Sequence, residues 1–214
     1  STINPNKTQR FVYDSTGFHK VYESHISNMG NPQTLADFLT YCEEEHPADH
    51  TMVVFWNHGG ASFGYGYDSV YLNDFLTLEE LRWAFEQVYT LDETNPPVDI
   101  IGFDACLMSS AELAVTLSGF ATYLVASQEI EPAFGWNYSF LSQATTADTP
   151  GLLAQLADGY LNTCLAYYEE RGYQDRDTTL SCVDLRKMDQ LEAAMEALFS
   201  RATADISAQY NQLT

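Results

Sequence analysis

The sequence predicts an α/β fold, a three-layer α/β/α sandwich with a mostly parallel sheet. Three observations carry this. Short apolar runs rich in β-formers recur at 52–56, 98–103 and 123–126, the length and composition of strands covered on both faces. Longer stretches between them place apolar residues at i, i+3, i+4 and i+7, the period of an amphipathic helix. Strand and helix therefore alternate, which implies right-handed crossovers between parallel neighbours and helices on both sides of the sheet. With 214 residues, of which 45% are hydrophobic and 14% aromatic, the chain is long enough for one ordinary core, because a domain of this size buries roughly 70% of its unfolded surface. We expect a single domain over 1–214.

Taken in order, 11–13 and 18–22 are β-rich stretches around Asp14-Ser15-Thr16-Gly17, a turn-forming cluster that reads as a hairpin. Asn31 is a good N-cap and Pro32 suits the first helical position, and Leu35, Phe38, Leu39 and Cys42 continue at helical spacing. The strand ending near His58 follows. Thr77-Leu78-Glu79-Glu80 is a capping box whose side chains satisfy exposed donors at a helix start, and Leu81, Phe85 and Val88 extend the apolar face. Asn95-Pro96-Pro97 is expected to end that helix and launch the strand before Cys106. Ala111, Ala114, Val115 and Leu117 favour a helix, and 123–126 a strand. A helix over about 152–169, a strand near 179–183 and a terminal helix carrying Leu191, Met195, Leu198 and Ala202 complete the set. No repeat or low-complexity tract competes with this.

Charge narrows the partners. Nine Lys and Arg against 30 Asp and Glu give a net charge of −21, so nucleic acid is not expected, since phosphate binding depends on Lys and Arg displacing counterions. The acidity serves solubility and self-repulsion, or biases the surface toward cationic peptides. No run approaches the roughly 18 apolar residues of a membrane helix, so no membrane span is expected. The chain begins at Ser1 without a methionine or an export signal, which reads as a processed or truncated chain. Cys42, Cys106, Cys164 and Cys182 show no metal-ligand spacing. Cys42 and Cys182 read as structural, and a bridge between Cys164 and Cys182 is left open.

Two of the apolar runs end in reactive side chains. Met52-Val53-Val54-Phe55-Trp56 leads into Asn57-His58-Gly59-Gly60, and Val98-Asp99-Ile100-Ile101-Gly102-Phe103 leads into Asp104-Ala105-Cys106. In an open α/β sheet, ligands bind beyond the carboxyl ends of parallel strands, so side chains at two such ends converge although they are distant in sequence. Either residue alone reads more simply as a core thiol or a hydrogen-bonded structural histidine. Together they form a nucleophile and its proton donor. Gly59 has no Cβ, so its backbone approaches a substrate closely and turns its N–H inward, and the N–H groups of Gly59 and Cys106 are candidate oxyanion donors. A helix starting at Cys106 would favour the reactive thiolate through its dipole. His19, His25, His46 and His50 lack a glycine-lined context and read as solvated or packing residues.

The words around the pair resemble the clostripain family of cysteine peptidases, relatives of gingipains, legumains and caspases. Asn28-Met29-Gly30-Asn31-Pro32 with Thr34-Leu35-Ala36-Asp37-Phe38-Leu39 resembles the segment before the family's histidine strand, and Asp104-Ala105-Cys106-Leu107-Met108 with Glu112 its nucleophile segment. Ala126-Ser127-Gln128-Glu129 and Glu131-Pro132-Ala133-Phe134-Gly135-Trp136-Asn137-Tyr138 resemble the loop after the next strand, so the likeness runs in order over 10–185. It implies a caspase- and gingipain-like fold and a His58–Cys106 dyad with no third member, the histidine acting mainly on the leaving group. It also implies a strand, a helix and a further strand ahead of the part that starts near Arg10. Its substrate-binding set falls on Asp104, Glu131 and Phe134. Asp104 would help form an acidic pocket for Arg or Lys, Phe134 stands where many relatives carry a polar or acidic residue, and Glu131 is the carboxylate that compensates.

The function the residues and the resemblance imply is a cysteine endopeptidase acting on peptide or protein substrates after Arg or Lys, secreted or at a bacterial cell surface. The alternatives are a noncatalytic peptide-binding domain of the same fold, or a thiol-dependent transpeptidase in which an amine replaces water. The chemistry requires no cofactor. Calcium is a candidate ligand, because Asp68, Asn73 and Asp74 offer oxygen atoms in the loop after His58 and calcium dependence occurs in the family. Relatives are often matured by a cut after a basic residue between histidine and cysteine. Here Arg82 is the only such residue, and it falls inside the Thr77 helix, where backbone bonds oppose cleavage.

Overall fold

The structure, a computed structural model, describes residues 6–173 and 177–213. Four strands form the main sheet: β3 (Met52–Trp56), β6 (Val98–Asp104), β7 (Ala121–Ala126) and β8 (Ser181–Asp184), in the order β3-β6-β7-β8. The pairs β3–β6 and β6–β7 are parallel and only β8 runs antiparallel. Two ribbons lie outside this sheet, β1 (Lys7–Asp14) with β2 (Gly17–His25), and β4 (Tyr65–Asp68) with β5 (Asp74–Leu76).

Alternation along β6 divides the core in two. Ile101 and Phe103 face a cluster with Leu39 of α1 (Pro32–Glu45), Leu81 and Phe85 of α2 (Leu78–Glu86) and Leu113 and Leu117 of α3 (Ala111–Leu117). Ile100 faces the opposite cluster with Leu153, Leu156 and Tyr160 of α4 (Thr149–Arg171). Helices thus cover both faces, as the period-2 pattern of a doubly buried strand requires, and the expected α/β class and mostly parallel sheet are found. The final helix, α5 (Met188–Leu213), starts at the core through Met188 and then leaves Leu198, Phe199 and Ile206 exposed.

Local signals act where the sequence places them. Asn31 Oδ1 accepts from Gln33 N–H at the start of α1. At α2 the Thr77 hydroxyl accepts from Glu80 N–H while the Glu80 carboxylate accepts from Thr77 N–H, a complete capping box. One boundary is corrected: α2 ends at Glu86, well before Asn95-Pro96-Pro97. The reason is local, since β-branched Val88 and Thr90 lead into Asp92, whose Oδ1 accepts from Thr94 and Asn95 N–H in an Asx-type turn that competes with helix. All four cysteines are free, with Cys164 fully buried in α4 and Cys182 exposed on β8, so the open bridge is not made. Among the described residues no helix is long and apolar enough to cross a membrane.

Candidate active site

Register brings the two reactive residues together. Trp56 on β3 is the parallel partner of Asp104 on β6, and His58 and Cys106 each lie two residues further on. Both line one cleft of about 490 Å³, along with Trp56, Asn57, Asp104 and Glu131. A larger hollow of about 690 Å³ between the β1–β2 ribbon, α1 and 67–70 shares only Asn57 with it. It holds neither the Cys106 thiol nor the His58 imidazole.

On the histidine side, the ribbon bonds Gly66 N–H to His58 O and Gly60 N–H to Gly64 O, each 2.9 Å. Gly59 and Tyr65 are opposed between these bonds. This is the non-bonded position of an antiparallel ladder, where N–H groups point away from the partner strand. Its N–H is thereby free of the ribbon, as an oxyanion donor requires. The need for glycine differs from the expected one: a Cβ at Gly59 would sit 1.9 Å from the carbonyl oxygen of Cys106 and 2.7 Å from Met108 Cγ. Gly59 admits the backbone of the nucleophile.

Cys106 does not start a helix. It sits in a turn, Leu107 follows with φ 65°, and α3 begins only at Ala111 behind the Ser110 cap. Helix-end effects fade within one turn, so the expected dipole support does not reach the thiol. Sγ instead accepts from Glu131 N–H at 3.2 Å and faces Glu131 O at 3.9 Å. The left-handed Leu107 is a strained position for a branched side chain. Its N–H donates to Glu129 O at 3.1 Å, tying the turn to the same loop.

That loop also builds the cleft floor. Asp104 is 3% exposed, and its Oδ2 accepts from Trp136 N–H at 3.0 Å and from the Tyr138 hydroxyl at 2.8 Å. Trp136 reaches the sheet because β6 carries Gly102, where a Cβ would lie 2.8 Å from the indole ring. Glu131 is 8% exposed, with Oε1 accepting from Trp136 Nε1 at 3.4 Å and Oε2 buried without a partner. Burial, reinforced by the Asp104 charge, pushes the Glu131 carboxyl up to about 9. Phe134 is not brought into the cleft. Its ring packs on Tyr167 of α4 at 4.9 Å between centroids, while its neighbours Ala133 and Gly135 line the site.

The calcium candidates are otherwise engaged. Asp68 accepts from Met29 and Val70 N–H, and Asp74 from Phe75 N–H and the Asn28 amide. All four carboxylate oxygens thus staple the loop, and among the described residues no three His, Cys, Asp or Glu side chains cluster for a metal. His19, His25, His46 and His50 are absent from the cleft lining.

Sequence reasoning missed the Glu131 N–H, the strained Leu107 and the Trp136 floor. Only the last had a signal, an isolated glycine inside an apolar strand, which marks close approach by another group.

The chain is 30% identical over 131 residues to the clostripain of Hathewaya histolytica, covering 52% of this chain and 24% of that protein. It is similar to a secreted C11 cysteine protease from Bacteroides thetaiotaomicron solved with an irreversible peptide inhibitor, with a TM-score of 0.71 and 24% identity over 88% of this chain and 55% of that one. An inactive zymogen C11 protease from Parabacteroides distasonis gives 0.64 and 22%, over 90% and 51%. At these identities the structures establish a shared fold, and this chain spans about half the length of those solved proteins. The model of the clostripain family matches residues 6–213. The chain belongs to the clostripain family.

Proposed function

We propose that this chain carries the catalytic unit of a cysteine endopeptidase that cuts peptide bonds after Arg or Lys through a His58–Cys106 dyad. The observation that carries the reading is the register-matched placement of both side chains in one cleft. The Cys106 thiolate attacks the scissile carbonyl carbon, and the negative oxygen that results is stabilised by backbone N–H groups such as that of Gly59. His58 gives its proton to the departing amine, and the C–N bond breaks. Water then hydrolyses the thioester, releasing the acid and restoring the thiol. Thiol and imidazole do this without a cofactor. Relatives described as secreted support a secreted setting.

The basic preference rests on Asp104, a buried carboxylate in a cleft whose lining includes no Lys or Arg among the described residues. A substrate cation at that depth forms a charge-assisted bond of about 1.5–3 kcal/mol. Asp104→Asn therefore lowers kcat/KM for an Arg peptide by about 10- to 100-fold while leaving the matched citrulline peptide nearly unchanged. Equal losses on both substrates would make Asp104 only a clamp for Trp136 and Tyr138.

The same reading excludes activation at Arg82. Its guanidinium donates to Glu86 at 2.8 Å within α2, lies over the Phe120 ring and reaches Thr116 O. A protease must hold its substrate extended, so α2 would first have to open. Sequencing of new N-termini after incubating the purified protein is expected to find none at Trp83; a cut there that tracks a rise in activity would refute helix protection.

A further inference from the structure

The cleft lining holds two carboxyl groups, Asp104 and Glu131, and among the described residues no Lys or Arg. Both are buried and are tied together by Trp136, whose backbone N–H donates to Asp104 and whose indole N–H donates to Glu131. Burying a second negative charge beside a first is opposed by desolvation and by like-charge repulsion. Hydrogen bonds decide which one keeps the charge. Asp104 Oδ2 receives two good donors, whereas Glu131 has one long indole bond on Oε1 and none on Oε2. A buried carboxyl oxygen that receives no donor is less costly when it carries the hydrogen itself.

We infer that Glu131 shares one proton with Asp104 and so sets how strongly the cleft selects a cationic side chain, releasing that proton when the cation enters. This deepens the basic-residue reading above and rests on it. In the empty cleft Glu131 is a carboxylic acid, its Oε2 carrying the hydrogen that no neighbour supplies. When a guanidinium or ammonium group enters, the Glu131 O–H bond breaks, the proton leaves to solvent and two carboxylates face one cation. Loss of that proton in the empty site is opposed up to about 9, by burial first and by the Asp104 charge second. The other titratable groups facing the pair are Tyr65 of β4 and Tyr138 after β7, Tyr160 and Cys164 of α4, and His58 and Cys106 in the cleft. Burial raises all three tyrosines and Cys164, so these four stay neutral below the Glu131 transition. His58 and Cys106 act on every substrate alike and cancel in a ratio.

By linkage, the preference for Arg over its neutral isostere citrulline rises with pH by up to about tenfold per unit, then levels off above the Glu131 transition. The experiment measures the Arg to citrulline ratio of kcat/KM from about pH 6 to about pH 10 in the wild type and Glu131→Gln, and follows the Trp136 indole N–H by NMR over the same range. A ratio that climbs in the wild type but is flat in Glu131→Gln is expected, with a Trp136 midpoint near 9 that falls in Asp104→Asn. A flat wild-type ratio with Arg still preferred, or a Trp136 midpoint in the ordinary carboxylate range, overturns the shared proton and leaves the basic-residue reading standing. Equal turnover of both substrates at every pH overturns that reading instead, and the Trp136 titration, which needs no substrate, still decides whether the proton is shared. It decides equally if Glu131→Gln fails to fold.

Discussion

On the proposed mechanism, Cys106→Ala is expected to abolish peptide cleavage while the chain keeps its fold and its thermal midpoint. The sulfur is the one thiol among the described residues of the cleft lining, so its loss removes the nucleophile of the proposed mechanism. The structural cost is small, because Sγ meets one donor, Glu131 N–H, at the wall of an open cleft where water takes its place. No other thiol substitutes. Cys42, Cys164 and Cys182 are each raised by burial, which favours the unreactive protonated form, and none lines the cleft. A peptidyl electrophile ending in Arg is expected to label Cys106 alone. His58→Ala costs about 10²–10⁴ in rate, the usual worth of acid–base assistance. Wild-type cleavage by Cys106→Ala, or label mapped to another cysteine, would refute the dyad.

The part of the site that was legible in the sequence is the part set by strand register. Met52–Trp56 and 98–103 read as buried strands because their apolar runs are continuous, and the groups after their ends then had to meet at one edge of the sheet. Asp104 and Glu131 were visible as carboxylates near that edge. Contacts made by backbone were not legible. The Glu131 N–H that serves the thiol carries no side-chain signature, and neither does the φ of Leu107. Phe134 shows the opposite error, since its position in the loop pattern placed it in the pocket while Gly135, with φ 70°, turns the chain so that Trp136 faces Asp104 and Phe134 packs on Tyr167. The early end of α2 has the same origin. An Asx turn at Asp92 outweighed the Pro-Pro signal further along.

Gly59→Ala separates a site held by the pairing of two backbones from one held by side chains alone. The added methyl meets the Cys106 carbonyl oxygen at 1.9 Å and Met108 Cγ at 2.7 Å. Methionine is unbranched and yields readily. The carbonyl cannot yield without shifting Cys106, whose turn is already pinned by Leu107 N–H to Glu129 O. A displacement of about 1 Å at the reacting atom costs on the order of 10² in rate, and the strain adds about 1–3 kcal/mol of destabilisation, as overpacking does elsewhere. We therefore expect kcat for Gly59→Ala to fall at least about 100-fold with a lowered thermal midpoint and KM little changed. Gly60→Ala is the matched control. Its nearest contacts, Gly64 O at 3.2 Å and the Tyr67 hydroxyl at 3.3 Å, are relieved by a shift of a few tenths of an ångström, and none belongs to the nucleophile turn. If Gly59→Ala retained wild-type kcat, the close approach of the two strand ends would not be what aligns histidine and cysteine, and the side chains would have to be held by the substrate instead.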